Sequence, residues 1–367
     1  MLYIVTGVLY ILNIVYGNKK WFRYLFFVFL VLLVAGTRGG YDTEIFYNRY
    51  VYYQSYESFT EPLFTMLVMV FNKLYIPYFI FMLLVGFFGI FSITNFVHIF
   101  CENEKFFYLF FMLYPMLLFF TQLRFFLGVS IVLFAAFPQL IYKKNKYWIK
   151  YICIVFLASM IHGSCMFFLL FLLLNYLDLK MSIIVTFIAT VILSNNTLIN
   201  YALSFISQIF GNDKISMMIR ERSLASDQWG RILQVIIMSL VMAFILELVR
   251  RGRLGDYPRL NLKQKYLFDL SLKLDIFLVI LIPLIINFSG SFSRVAYISM
   301  LFNYTSISNC FWIEGNKISR KSINLIMTLL VIVLILSYSM VSSLSFFNST
   351  ICPFFENNIF FTYGTER

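Results

Sequence analysis

The sequence predicts an all-α fold: a polytopic transmembrane bundle of about 10–12 spans, some of them broken or re-entrant. Three observations carry this. The chain has 367 residues, of which 61% are hydrophobic and only 13% charged, about half the charged fraction of a soluble domain. Its mean hydropathy is +0.84. Apolar runs of membrane-crossing length recur from Leu2 to Ser343, separated by short basic clusters. Those clusters account for the net charge of +12, which is the positive-inside bias of a membrane protein and points to no nucleic acid. A single membrane domain over residues 1–367 is expected. No cleavable signal is expected, since the first apolar run starts at Leu2 without a basic stretch before it or a small-residue cleavage site after it.

The elements follow in order. Leu2–Tyr16 is the first span, and the basic turn Asn18–Arg23 is expected in the cytoplasm, with the N-terminus outside. Tyr24–Ala35 delivers residues 37–61 to the outer face as a polar loop. Pro62–Tyr75 is a short third span; Pro62 suits a first helical turn, and Glu61 before it favours the positive helix end. Tyr78–Phe100 is the fourth. The run Phe106–Tyr142 is too long for one crossing and is interrupted at Thr121–Arg124, so it reads as two spans with Arg124 at their junction. After Lys143–Lys146 comes a span Tyr147–Leu174, with His162-Gly163-Ser164 near its middle. Met181–Leu193 precedes a second outer loop, residues 195–230. Ile232–Val249 leads to 250–273, where seven basic residues against two acids mark the cytoplasm. Spans Leu274–Phe288, Val295–Trp312 and Ile323–Ser343 complete the chain.

Counting plain crossings puts the Lys143–Lys146 turn on the outer face, against its charge. The alternative keeps that turn inside and makes two segments broken or re-entrant. The short third span and the span holding His162 are the natural pair, because irregular backbone at membrane depth is tolerated where it lines protein or a wet cavity. The second version is slightly favoured, and both place the two long polar loops outside.

Polar chemistry concentrates in residues 37–61. Arg38, Asp42, Glu44, Arg49, Glu57 and Glu61 lie there among six tyrosines, including Tyr41, Tyr47 and Tyr50. The plain reading is a solvated loop; the functional one is a polar-substrate site. Elsewhere Arg124, His162 and Arg294 fall within or beside spans. An intramembrane charge costs at least about 2.5–3.5 kcal/mol, so such residues usually face a cavity and act there. Arginine forks suit phosphate, and Arg38, Arg124 and Arg294 are each at a boundary that can be outer. The alternative is that each only snorkels to the headgroups. His162 is either a satisfied core histidine or a proton acceptor for substrate, and the small Gly163 and Ser164 after it allow a neighbouring helix to approach. His98, near a span end, is interfacial. Asp42 and Glu44 read as carboxylates facing arginines and sugar hydroxyls rather than as a metal signature, and no metal or other cofactor is expected. The dispersed cysteines, Cys101, Cys153, Cys165, Cys310 and Cys352, read as apolar packing residues. No nucleotide-binding motif is present, so ATP-driven transport has no support.

Four blocks in order resemble the EpsG-type family, a branch of the Wzy-like polysaccharide polymerases. They are Arg38, glycine and Asp42 after the second span, with Tyr47 and then Glu61-Pro62-Leu63-Phe64; Gln122-Leu123-Arg124-Phe125-Phe126-Leu127-Gly128; Leu157-Ala158-Ser159-Met160-Ile161-His162-Gly163-Ser164; and Arg294 with Tyr297. Phe125 stands where a Gln is usual, and Gly163 where a Pro is common. The resemblance implies a GT-C-like glycosyltransferase of the bacterial cytoplasmic membrane. Such an enzyme moves a growing glycan from undecaprenyl pyrophosphate onto a new lipid-linked repeat unit at the outer face, for O-antigen, capsule or exopolysaccharide, without a nucleotide sugar. It implies as partners the lipid-linked donor and acceptor, the bilayer, a chain-length regulator and a flippase. Within it, Arg124 and Arg294 are placed on pyrophosphate, Arg38 and Asp42 as a structural-catalytic pair, and His162 at the acceptor. Tyr47, Glu61 and Tyr297 bind substrate, and His162, Asp42 or Glu61 is the general base. A lipid-linked oligosaccharide flippase, an O-antigen ligase and a secondary transporter are the competing classes. The transporter should show internal repeats, and none is found.

Overall fold

The structure, a computed structural model, describes residues 2–38, 41–52, 61–138, 145–195, 197, 201, 228–287, 293–311, 313–314, 317–341 and 347–361. It is a helical membrane protein, as the composition demands: without water, each apolar segment must satisfy its own backbone hydrogen bonds, and a helix does so locally. The helices are α1 (Leu2–Tyr16), α2 (Lys20–Ala35), α3 (Tyr41–Val51), α4 (Pro62–Lys73), α5 (Tyr78–Phe100), α6 (Glu104–Leu113), α7 (Met116–Thr121), α8 (Leu123–Ile131, prolonged by a π turn to Ala136), α9 (Asn145–Ser159), α10 (Leu169–Tyr176), α11 (Leu179–Leu193), α12 (Gln228–Ile236, with a π turn to Val241), α13 (Met242–Arg250), α14 (Leu262–Phe277), α15 (Leu281–Asn287), α16 (Ser293–Ser308), α17 (Arg320–Val341) and α18 (Cys352–Glu356). Strands β1 (Ile313–Glu314) and β2 (Lys317–Ile318) form a minimal antiparallel ladder before α17. Among the described residues, three helices are long and apolar enough to cross a membrane, Tyr78–Phe100, Gly230–Arg250 and Arg320–Ser339; six more apolar helices are shorter. The expected single domain is built from two compact units, Met1–Leu169 with Leu329–Arg367, and Leu170–Thr328.

In the first unit, α2 and α5 are antiparallel. Arg23 near the start of α2 and His98 near the end of α5 both reach Glu104 Oε1, at 3.0 and 2.9 Å. His98 is therefore an ion-pair partner as well as an interfacial residue. Helix α8 is parallel to α5: Phe126 packs at Gly89, and Phe137 meets Phe96 and Phe100 with ring centroids 5.4 and 5.5 Å apart. It thus carries the chain from Arg124 to the Arg23–Glu104 end, the end of Lys19 and Lys20, before residues 139–144, which lie outside the described residues. This geometry agrees with the re-entrant version of the topology. Helix α4 fits it as well, since its 12 residues span only about 18 Å of a hydrocarbon layer near 30 Å. Its last turn is tied down by Asn72 Nδ2 donating to the Tyr50 carbonyl at 2.8 Å, and the Tyr50 hydroxyl donates to the Ile76 carbonyl at 2.5 Å.

The span Tyr147–Leu174 is broken at its centre, as in the slightly favoured of the two expected versions. Helix α9 ends at Ser159, and the chain turns at Met160–His162 and doubles back as a 3-10 turn, Gly163–Phe168. The Tyr151 hydroxyl donates to the Phe168 carbonyl at 2.7 Å, a closure impossible along one straight helix, where 17 residues occupy about 25 Å. His162 is therefore at the tip of a helical hairpin, not at mid-span. The role expected of Gly163 belongs to another glycine. A Cβ at Gly163 meets open space, whereas one at Gly128 would lie 2.5 Å from Cys165 Sγ, and one at Gly89 would lie 2.1 Å from the Phe126 ring. Small residues matter here because helices in lipid gain little from apolar burial and associate by close packing.

In the second unit, Asp178 caps α11, accepting from the Met181 amide at 2.6 Å. The segment 250–273 is loop only up to Asn261. From Leu262 it is helix, started by a reciprocal capping box between Asn261 and Gln264. Gly252 and Gly255 take positive φ in the turn before it. Helix α16 is buried along its whole length except at Arg294, which is half-buried. Most of residues 195–230, the second polar loop, lies outside the described residues. The free cysteines include Cys101, Cys165 and Cys310 buried, with Cys153 exposed.

Gly89→Val is expected to destabilise the protein by about 1–3 kcal/mol through overpacking, while Gly163→Ala should stay within about 0.5 kcal/mol. Thermal unfolding of the two variants in one detergent compares them directly.

Candidate functional site

The site in the first unit is built where the helical run is broken. Gln122 is non-helical, between α7 and α8, so Arg124 falls in the first turn of α8. A cation is unfavourable at that positive helix end. The compensating anion is Glu61, which stands at the N-cap of α4 with Pro62 at its first helical position. Arg124 Nη1 donates to Glu61 Oε2 in an ion pair whose side chains are 22% and 14% exposed. The guanidinium also lies over the Phe46 ring, 5.2 Å from its centroid, in the cation–π arrangement that arginine favours. The ion pair thus ties the start of α4 to the first turn of α8. Arg124 Nε and Gln122 Oε1 remain buried without a hydrogen-bond partner among the described residues, so the cluster has hydrogen-bonding capacity left over.

The hairpin tip closes on the same place. The Leu63 amide in α4 donates to the Met160 carbonyl at 3.1 Å, which ties the segment after Glu61 to the turn before His162. The His162 ring packs edge-on against Phe125, with centroids 5.4 Å apart, and its Nδ1 accepts from the Ser164 amide at 3.3 Å. With Nδ1 accepting, the proton of the neutral ring lies on Nε2. Phe125, standing where a Gln was expected to hydrogen-bond, supplies a ring face instead.

Arg38 and Tyr47 form a second group. Arg38 is exposed, beyond the end of α2, within electrostatic reach of Tyr78. The Tyr47 ring packs on Tyr78 at 5.3 Å, as does Tyr50. The end of α2 that presents Arg38 is clamped by Asn358, whose Nδ2 donates to the Leu33 carbonyl at 3.0 Å, while the Ile359 amide donates to the Gly36 carbonyl at 2.9 Å. Asp42 is in the first turn of α3, and its side chain lies outside the described residues. Helix α3 connects the two groups, since Phe46 under Arg124 is one residue from Tyr47.

Arg294 and Tyr297 belong to the second unit. They occupy the first turns of α16, with Tyr297 buried and Arg294 half-buried. Arg231 in α12 joins them, for both arginines act electrostatically on the Tyr297 hydroxyl. Neither pairs with an acid among the described residues. Sequence reasoning passed over Arg231 and Phe46, and named Gln122 only as the opening of a block. Arg231 follows a loop rich in charge and did not stand out. Phe46 is one of 45 phenylalanines.

Removing either partner of the Glu61–Arg124 pair leaves the other charge unpaired. Arg124→Ala or Glu61→Ala is expected to cost about 1.5–3 kcal/mol, and the double variant less than the two together. A double-mutant cycle by thermal unfolding measures the coupling; strict additivity would contradict the pairing.

No curated protein and no solved structure matches the chain. The EpsG family model matches residues 20–355, nearly the whole sequence and every block named above. The chain therefore belongs to the EpsG family, a family associated with polysaccharide biosynthesis.

Proposed function

We propose that the protein is a polysaccharide polymerase of the bacterial cytoplasmic membrane. In this reading it joins undecaprenyl-pyrophosphate-linked oligosaccharide repeat units at the outer face. The observation that supports it best is the Arg124–Glu61 pair, held at two helix N-termini beside the His162 hairpin. The reaction breaks the bond between the anomeric carbon and a pyrophosphate oxygen, and forms one from that carbon to an acceptor hydroxyl. Negative charge grows on the leaving pyrophosphate, so a fixed guanidinium lowers the barrier more than it stabilises the ground state. The acceptor hydroxyl loses a proton, which needs a base within hydrogen-bond reach.

Glu61 and Arg124 divide these tasks naturally. An arriving pyrophosphate competes with Glu61 for Arg124. Once the guanidinium turns to phosphate, the carboxylate is free to take the proton, and His162 serves beside it. Arg294 supplies a second cation for the donor, Arg38 and Asp42 support the outer wall, and Tyr47 offers a ring face and a hydroxyl to sugars; Tyr297, expected to bind substrate, is buried and supports Arg294 from beneath instead. The chain-length regulator and flippase of the pathway are partners under the same reading.

The test is complementation of a deletion strain, with the glycan resolved on a gel and the protein quantified in the membrane. Arg124→Ala and Arg294→Ala are expected to lose about 10²–10³-fold in polymerisation and leave single repeats. Arg124→Lys should retain part of it, since charge survives but the bidentate fork does not. Long ladders from either alanine variant would overturn the assignment of that arginine. Loss of even the single external repeat would point to a flippase.

A further inference from the structure

The second unit holds a carboxyl group that the polymerase reading does not use. Asp275 lies in the fourth turn of α14 with no exposed surface, and Asn303 on α16 is equally buried. Asn303 Nδ2 donates to Asp275 Oδ1 at 3.0 Å. The two remaining oxygens, Asp275 Oδ2 and Asn303 Oδ1, are buried with no direct hydrogen-bond partner among the described residues. The pair sits on a polar seam with helical spacing. Ser271 is one turn before Asp275, and its Oγ is 2.9 Å from Ser306 Oγ, one turn after Asn303. Ser299, one turn before Asn303, is within hydrogen-bonding reach of the carboxyl, but its hydroxyl proton is directed to the Ala296 carbonyl at 2.8 Å. Leu267, Leu274 and Leu278 on one side and Met300 and Ile307 on the other are all fully or almost fully buried along this seam, with Thr305 and Ser308 as further buried polar residues of α16.

A carboxylate in that position would be a bare buried charge, which costs several kcal/mol unless a cation pays it back. None is near. Around α14, Glu247 is occupied by Arg250 and Arg251, Lys273 Nζ donates to the Leu174 carbonyl at 3.2 Å, and Asp269 accepts from the Tyr257 hydroxyl at 3.3 Å. Neither these groups nor Lys180 or Arg294 acts electrostatically on Asp275.

The two unpartnered oxygens are both acceptors, one on each side chain of a single pair. One proton satisfies both. We propose that Asp275 is a proton-binding site: a neutral carboxylic acid whose Oδ2–H donates to Asn303 Oδ1 while Asn303 Nδ2 donates to Oδ1, a cyclic acid–amide pair joining α14 to α16. Neutral, the group needs no counter-charge, and each of its hydrogen-bonding atoms is used. Because α16 carries Arg294 and Tyr297 two turns earlier, the pair also fixes the helix on which they stand. The proposal does not depend on the polymerase reading.

Infrared spectroscopy of the full-length protein in detergent at neutral pH tests it. A protonated carboxyl gives a carbonyl band above the amide and carboxylate bands, and that band shifts down in deuterium oxide. It is expected in the wild type, absent in Asp275→Asn and retained in Asp269→Asn. Asp275→Asn should keep the wild-type melting temperature, since an amide donates to Asn303 Oδ1 as the acid does, while Asp275→Leu should melt clearly lower. Absence of the band from folded wild-type protein overturns the proposal. So does a melting temperature that rises with sodium chloride but not with choline chloride in the wild type and not in Asp275→Asn, which would make the occupant a sodium ion.

Discussion

The ion pair between Glu61 and Arg124 holds three separate breaks in the helical run together. Each break frees backbone groups and exposes a helix end, which lipid cannot solvate. Glu61 sits at the start of α4, Arg124 at the start of α8, and the α9 hairpin is fastened to α4 through the Leu63 amide and the Met160 carbonyl. Without the carboxylate, Arg124 would lie at the wrong end of its helix dipole with nothing to balance it. Without the arginine, Glu61 would be a largely buried acid with no counter-charge. The local polar chemistry of the first unit is arranged around this mutual need.

That arrangement also explains why irregular backbone is concentrated here. A continuous helix buries its polar backbone and offers a substrate only side chains. A helix start offers amide groups, a partial positive charge and a turn that can be shaped. The first unit places two such starts and a hairpin tip together, lined by Phe46 and Phe125. The second unit solves the opposite problem. There polar groups on α14 and α16 face each other in a sealed seam, and Arg231 and Arg294 gather at the start of α16.

Much of the punctuation was legible. Arg124 stood out as a lone cation in an apolar run, and the break next to it is at Gln122. Pro62 marked the start of α4, and the excess length of Phe106–Tyr142 called for the break at Gln122, though the run holds three helices, α6, α7 and α8, with a second break at Tyr114–Pro115 that was not foreseen. His162 was legible as a residue but not as a hairpin tip, since apolar residues continue on both sides of it and a reversal leaves no compositional trace. Gly128 was overlooked in favour of Gly163 for a similar reason: which glycine meets a neighbour depends on a helix far along the chain. Asp275 was hidden by a boundary. Counting the span from Leu274 put it at the membrane edge, but the capping box at Asn261 starts the helix more than three turns earlier and carries Asp275 into the interior.

The sequence by itself determined that this is a helical membrane protein of the EpsG type, and where its helices are interrupted. Bilayer crossing depends on the local density of apolar residues, and interruption on individual prolines, glycines and charges, all of which are read without knowing any contact. Only the tertiary structure decided that Glu61 partners Arg124, that the chain reverses at His162, and that Asp275 faces Asn303. Those outcomes rest on pairings between residues tens of positions apart, where a buried charge or orphaned hydrogen bond selects one partner from many that composition alone would allow.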